Sequence, residues 1–218
     1  MARVGVVLSG CGVYDGAEIH EAALTLLFLD RAGCEIICMA PDVDQMDVIN
    51  HVKGEAASEK RNVLVESARI ARGAIKDIKD VKAVDLDVLV FPGGFGAAKN
   101  LCDFAVKGPD CSVNPEVERL IKEMYGAKKP IGFLCIAPVI AAKVLGAFGP
   151  QLTIGNDPAT AAAIEKMGGK HVVSAVDNAV VDLKNKIVTT PAYMLGPTIS
   201  QVALGIEKTI NEILKMAG

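Results

Sequence analysis

Short apolar runs rich in β-branched residues alternate along the chain with longer stretches in which apolar side chains recur every three or four positions. That alternation is the pattern of a parallel sheet whose strands are joined by covering helices. The first run predicts a strand over Val4–Leu8, closed by the polar turn Ser9-Gly10-Cys11-Gly12. A helix is predicted from about Gly16 to Gly33, with Leu24, Leu27 and Phe28 on its apolar face. Further strands are predicted at Glu35–Met39, Val88–Phe91 and Ile131–Leu134. Val88–Phe91 is apolar at every position, as a central strand buried on both faces requires, and Ile131–Leu134 is a second buried strand. Helices are expected over Asn62–Gly73, from near Ala97, over Pro115–Tyr125 with Asn114 as cap, from Ile136, over Ala159–Met167 and over Thr198–Met216. Val180–Asp182 and Ile187–Thr189, flanking Lys184-Asn185, predict a hairpin. Pro41–Arg61 and Val106–Asn114 fit the alternation poorly and are expected to be excursions from the sheet. With no internal repeat and no linker, the reading is a doubly wound α/β fold in a single domain, residues 1–218.

Charge and composition narrow the function. Twenty-three basic against 26 acidic side chains leave a net charge of −3, and no Lys/Arg run occurs, so a nucleic-acid surface is not expected. Aromatic residues make up only 4%, which argues against a base-stacking platform. The one uncharged stretch of membrane-spanning length, Ile187–Ile206, contains Pro191, Gly196 and Pro197, and no membrane partner is expected. Met1–Leu8 is too short an apolar run for a secretory signal, and the expected location is the cytoplasm. Six cysteines occur without a Cys-x-x-Cys pair, and with only three histidines no metal site is expected.

In open α/β sheets ligands gather at the carboxyl ends of the strands. Three such ends stand out: Ser9–Gly12, Gly93–Gly96 and Cys135. Cys135 follows a buried strand without loop residues and precedes a helix, the place of a nucleophile on a strand-to-helix elbow. Backbone N–H groups and the helix dipole there favour thiolate. The competing reading is an inert thiol that packs as a small hydrophobe. Cys11, in the first strand-end loop, is a candidate for the same rim, whereas Cys34 and Cys38 read as core. Glu18 and Glu21 lie three apart at the start of the first helix, where carboxylates are favoured in any case. Gly93-Gly94 offers N–H groups for an oxyanion, or serves as an ordinary tight turn. No histidine flanks Cys135, and His171 reads as structural.

The order of these motifs resembles the DJ-1/PfpI superfamily, within the class I glutamine-amidotransferase-like, flavodoxin-like fold. The resemblance rests on Gly16-Ala17-Glu18-Ile19-His20-Glu21, Phe91–Leu101 and Gly132-Phe133-Leu134-Cys135-Ile136-Ala137-Pro138. Leu8–Gly16, Arg61–Leu64 and Val188–Tyr193 look like its ElbB subgroup. The resemblance implies a nucleophile at Cys135, a partner acid at Glu21 and oxyanion donors at the N–H groups of Gly94 and Ile136, with Gly93 beside them. Relatives with a protease-like site carry His after the nucleophile, where Ile136 stands here; others carry a His before a Pro, where Asn156-Asp157-Pro158 stands here. Asp157 is an accessory candidate, although an anion beside the sulfur would raise the thiol pKa.

The function this implies is a glyoxalase that needs no cofactor and converts a small dicarbonyl such as glyoxal to glycolate, with protein deglycase behaviour as a further face of the same chemistry. A homodimer is implied by the resemblance. The rival expectations are a redox-sensing or chaperone-like protein using an oxidisable cysteine, and an accessory protein of isoprenoid metabolism.

Overall fold

A computed structural model describes all 218 residues. In chain order its elements are β1 (Arg3–Val7), α1 (Ile19–Arg31), β2 (Glu35–Ala40), β3 (Ile49–Asn50), β4 (Glu55–Ala56), α2 (Val63–Ile70), β5 (Ile75–Asp77), β6 (Val88–Phe91), α3 (Phe95–Lys99) and α4 (Phe104–Lys107). They continue with α5 (Pro115–Gly126), β7 (Ile131–Leu134), α6 (Pro138–Leu145), β8 (Gln151–Leu152), α7 (Pro158–Lys166), β9 (Lys170–His171), β10 (Val180–Asp182), β11 (Ile187–Thr190) and α8 (Ile199–Ala217). Seven strands form the main sheet in the order β10-β11-β7-β6-β1-β2-β5, and only β10 runs antiparallel to its neighbour. The doubly wound α/β expectation therefore holds.

The two faces of this sheet are read directly from the period of two along its central strands. Val88 and Val90 join Val4, Val6 and Leu134 under α1 and α8. Leu89 and Phe91 face the other way and join Ile131 and Phe133 under α5 and α6. Phe91 and Phe133 stack there with centroids 4.8 Å apart, a contact worth about 0.5–1.5 kcal/mol beyond the area buried. Because both faces are covered, every side chain of β6 and β7 is buried.

Helix starts follow the caps in the sequence. Asn62, Asn114 and Thr198 each accept an N–H from the first turn of α2, α5 and α8. Three details differ from expectation. The buried stripe of α1 is Glu21, Ala22, Thr25, Phe28 and Leu29, so Leu27 lies off it and is 40% exposed. The helix over Asn62–Gly73 stops at Ile70, and Ile75–Asp77 forms the edge strand β5, which its Lys and Asp conceal from a hydrophobic pattern. The segment after Gly146 supplies β8 and β9, a separate two-stranded piece. No helix is long and apolar enough to cross a membrane.

The excursion Pro41–Arg61 holds the β3–β4 hairpin and is bolted onto the first strand-end loop. Asp15 accepts the Ile49 N–H at 2.8 Å, and Lys99 pairs with Asp47 at 2.9 Å. Buried Asn100 accepts the Met46 N–H and donates to the carbonyls of Ser9 and Asp15. The excursion thus braces the loop that leads into α1.

Candidate active site

The carboxyl ends of β1, β6 and β7 converge where the parallel order reverses between β1 and β6, as expected for this class of sheet. β7 ends at Leu134, and the next residue, Cys135, takes φ +60°, a left-handed conformation that costs a non-glycine residue about 1–3 kcal/mol. It is held there from both sides: its N–H donates to Thr190 O on β11 at 3.0 Å, and Ala137 N–H closes back onto Leu134 O at 2.9 Å. The elbow lifts the sulfur out of the sheet toward the neighbouring turn Gly93-Gly94. A Cβ on Gly93 would lie 2.4 Å from Cys135 Cβ and 2.7 Å from a Glu21 carboxyl oxygen, so only glycine fits between them.

Glu21 arrives from α1 and is fully buried. Its two carboxyl oxygens accept N–H groups from Gly93 (2.9 Å) and Tyr193 (3.1 Å), and the carboxyl hydrogen-bonds the Cys135 thiol. Tyr193 is positioned by Ala192, which also adopts a positive φ of 45°. Burial raises the Glu21 pKa to about 7, helped by the nearby Glu18 carboxylate and opposed by the Tyr193, Cys135 and Gly93 hydrogen bonds. Burial and then Glu21 push the Cys135 thiol well up, although the N–H groups of Gly94 and Ile136 both donate to its sulfur. The expectation that the helix start alone would lower this thiol is therefore corrected: desolvation and a carboxylate neighbour outweigh two N–H donors. The sulfur and the carboxyl form one buried unit that shares a proton near neutral pH.

The remaining candidates separate clearly. Gly94 and Ile136 stand where the resemblance placed them, with their N–H groups on the sulfur. Gly93 does not offer an oxyanion donor, because its N–H is spent on Glu21. Glu18 caps α1 by accepting the Glu21 N–H at 2.7 Å and also lines the cavity above Cys135. Asp157 is no accessory to the sulfur: it is exposed and caps α7 by accepting the Thr160 N–H at 2.7 Å. Cys11 does not line the cavity either. It lies among Glu66, Arg69, Asp15 and Arg61, where burial first and then Glu66 raise its pKa.

Two residues were assigned no role by sequence reasoning. Tyr193, through its N–H, orients Glu21, and its hydroxyl lies 2.8 Å from His20 Nδ1. Phe104 on α4 forms part of the cavity wall. The first was signalled by the Thr190-Pro191-Ala192-Tyr193 run after a buried strand; the second carried no signal, since α4 lies in a poorly patterned stretch. The cavity has a volume of about 350 Å³ and mostly apolar walls, with Cys135 and Glu18 among its few polar contributors. No group of three or more His, Cys, Asp or Glu side chains is placed to hold a metal ion.

Comparison with known proteins places this arrangement. The chain is 52% identical over 227 residues to the ES1 protein homolog, mitochondrial, of Rattus norvegicus, covering 100% of this chain and 85% of that protein. It is equally 52% identical to the glutamine amidotransferase-like class 1 domain-containing protein 3, mitochondrial, of Homo sapiens, covering 100% and 84%. A solved structure, an isoprenoid biosynthesis protein with amidotransferase-like domain from Ehrlichia chaffeensis, superimposes with a TM-score of 0.93 at 39% identity over 100% of both chains. The expected cytoplasmic location is corrected by the first two, both named as mitochondrial. The DJ-1/PfpI family model matches residues 11–194, a span that takes in Glu21, the Gly93-Gly94 turn, Cys135 and Tyr193, and the chain belongs to that family.

Proposed function

We propose that the chain, as a single domain of the ElbB type, is a glyoxalase that needs no cofactor and converts glyoxal, or a similarly small dicarbonyl, to the hydroxy acid. The supporting observation is the hydrogen bond between the Cys135 thiol and the buried Glu21 carboxyl at the base of a cavity, with the Gly94 and Ile136 N–H groups on the same sulfur. Glu21 takes the thiol proton as sulfur attacks one aldehyde carbon, and returns it to the resulting alkoxide to give a hemithioacetal. The Gly94 and Ile136 N–H groups stabilise negative charge at the reacting centre. Glu21 then carries the C–H proton from the attacked carbon to its neighbour through an enediol, leaving a hydroxyacyl thioester. Water cleaves that ester, releasing glycolate and the free thiol, so that glyoxal plus one water is consumed. A two-carbon dicarbonyl finds few polar contacts within these apolar walls, and weak saturation is expected. Deglycase behaviour follows if free dicarbonyl is drawn from its adducts.

The test is glyoxal consumption with glycolate measured by NMR. The wild-type protein is expected to form glycolate and Cys135→Ser to fall to the uncatalysed background. Turnover retained without the sulfur, or no glycolate from the wild type, overturns the reading.

A further inference from the structure

A second pair of sulfur atoms lies outside the Cys135 site. Residues 101–103 run antiparallel to residues 112–114: Asn114 N–H donates to Leu101 O at 2.8 Å, Asp103 N–H donates to Ser112 O at 3.1 Å, and Cys102 stands opposite Val113. The two-residue period of extended backbone puts Cys111, which is also extended, on the same face as Cys102. α4 and the turn Gly108–Asp110 close the loop and set the two thiols side by side, with the Cys102 S–H donating to Ala97 O at 3.3 Å. Both cysteines are free and buried from bulk solvent. Cys111 nevertheless borders a polar cavity of about 400 Å³, together with Asp110, Ser112, Glu118 and Lys143. Lys143 is fixed beside it by donating to Pro109 O at 3.2 Å.

The pair is electrostatically asymmetric. The neighbouring Cys102 thiol lowers the Cys111 pKa to about 7, burial opposing and the Lys143 charge assisting. The same pairing, with burial, pushes Cys102 up. Cys111 is thus the thiol drawn toward its thiolate and Cys102 the one held protonated, which is how an attacking and a resolving cysteine divide their work.

We propose that Cys102 and Cys111 are an oxidation site, closing to a reversible disulfide when the protein meets hydrogen peroxide. The Cys111 thiolate attacks the O–O bond, whose far oxygen leaves as water after protonation, and Cys111 becomes a sulfenic acid. The Cys102 sulfur, giving up its proton, then displaces that hydroxyl as a second water and the S–S bond forms. Two thiols lose two electrons and one peroxide is reduced to two waters; a dithiol reverses the step. The bond joins the two ends of the segment that carries Phe104 and Ala105, both on the wall of the Cys135 cavity.

The experiment is hydrogen peroxide treatment of the full chain, tryptic digestion without reduction, and mass spectrometry. Cleavage after Lys99, Lys107 and Arg119 places Cys102 in Asn100–Lys107 and Cys111 in Gly108–Arg119, one cysteine in each peptide. The expected product is these two peptides joined and short of two hydrogens, separated again by dithiothreitol. In Cys102→Ser, oxidation is expected to stop at a sulfenic acid on Cys111 that dimedone traps. Wild-type peptides that stay reduced while Cys135 is oxidised would overturn the proposal. The wild-type mapping needs no variant to fold and does not depend on glyoxal turnover.

Discussion

Cys135 and Cys111 are 7% and 2% exposed, and each follows an extended or turned backbone at the edge of a cavity. What faces each sulfur differs. Cys135 meets a buried carboxyl and two N–H donors, and its thiol is driven up. Cys111 meets a thiol and a lysine, and is drawn down to about 7. Burial penalises thiolate in both places; at Cys135 it dominates and Glu21 adds to it, whereas at Cys111 the neighbouring Cys102 thiol outweighs it and Lys143 assists. A thiol that must pass its proton to a partner suits a reaction in which that proton is moved about; a thiol already ionised at neutral pH suits reaction with an oxidant.

The largest effect that separates the two sites is expected from Glu21→Gln. Without an acid–base group beside Cys135, glyoxal turnover is expected to fall by about 10²–10⁴-fold, while peroxide-driven coupling of Cys102 to Cys111 is unchanged. Equal loss of both would show that the variant had disturbed the whole fold. Next comes the dependence of stability on pH. The Glu21 pKa is raised from 4.5 to about 7 in the folded protein, so the folded state holds this proton more tightly than the unfolded one. The stability it contributes is fully present below pH 4.5 and is lost as pH rises through about 7. The loss is roughly 3 kcal/mol, and Glu21→Gln is expected to lack that slope in denaturant titrations across the same range. Gly93→Ala is expected to cost about 1–3 kcal/mol in the same titration, because its Cβ must displace Cys135 Cβ and the Glu21 carboxyl. That variant should also lose turnover and keep the Cys102–Cys111 reaction.

Much of this molecule was legible in the chain. β6 and β7 were evident because a strand covered on both faces must be apolar throughout, and the caps Asn62, Asn114 and Thr198 announced their helices. Edge strand β5 was not, since Lys76 and Asp77 carry no apolar pattern. At the site, Cys135, Glu21, Gly94 and Ile136 were placed by motif order, and the structure brings all four together. Gly93 and Asp157 proved to be engaged elsewhere, and Cys11 lies off the cavity. Spacing and motif order show which residues lie near a site, but not which N–H or carboxylate is already engaged by a closer partner. The proton balance of Cys135 was likewise invisible, because it depends on desolvation that only packing across four elements creates. The Cys102–Cys111 pairing depends on loop closure over nine residues and left no periodic trace.

The central claim is that Cys135 and Glu21 titrate as one unit, and the rate of iodoacetamide alkylation against pH tests it, read for Cys135 and Cys111 separately by peptide mass spectrometry. In the wild type, the Cys111 rate is expected to rise through about pH 7, and the Cys135 rate only at higher pH, where its raised thiol ionises. In Glu21→Gln, the Cys111 profile is expected to stay where it was while the Cys135 profile moves to lower pH, because the carboxylate that holds the thiol up is gone. A Cys135 profile unchanged by loss of the carboxyl would contradict the account.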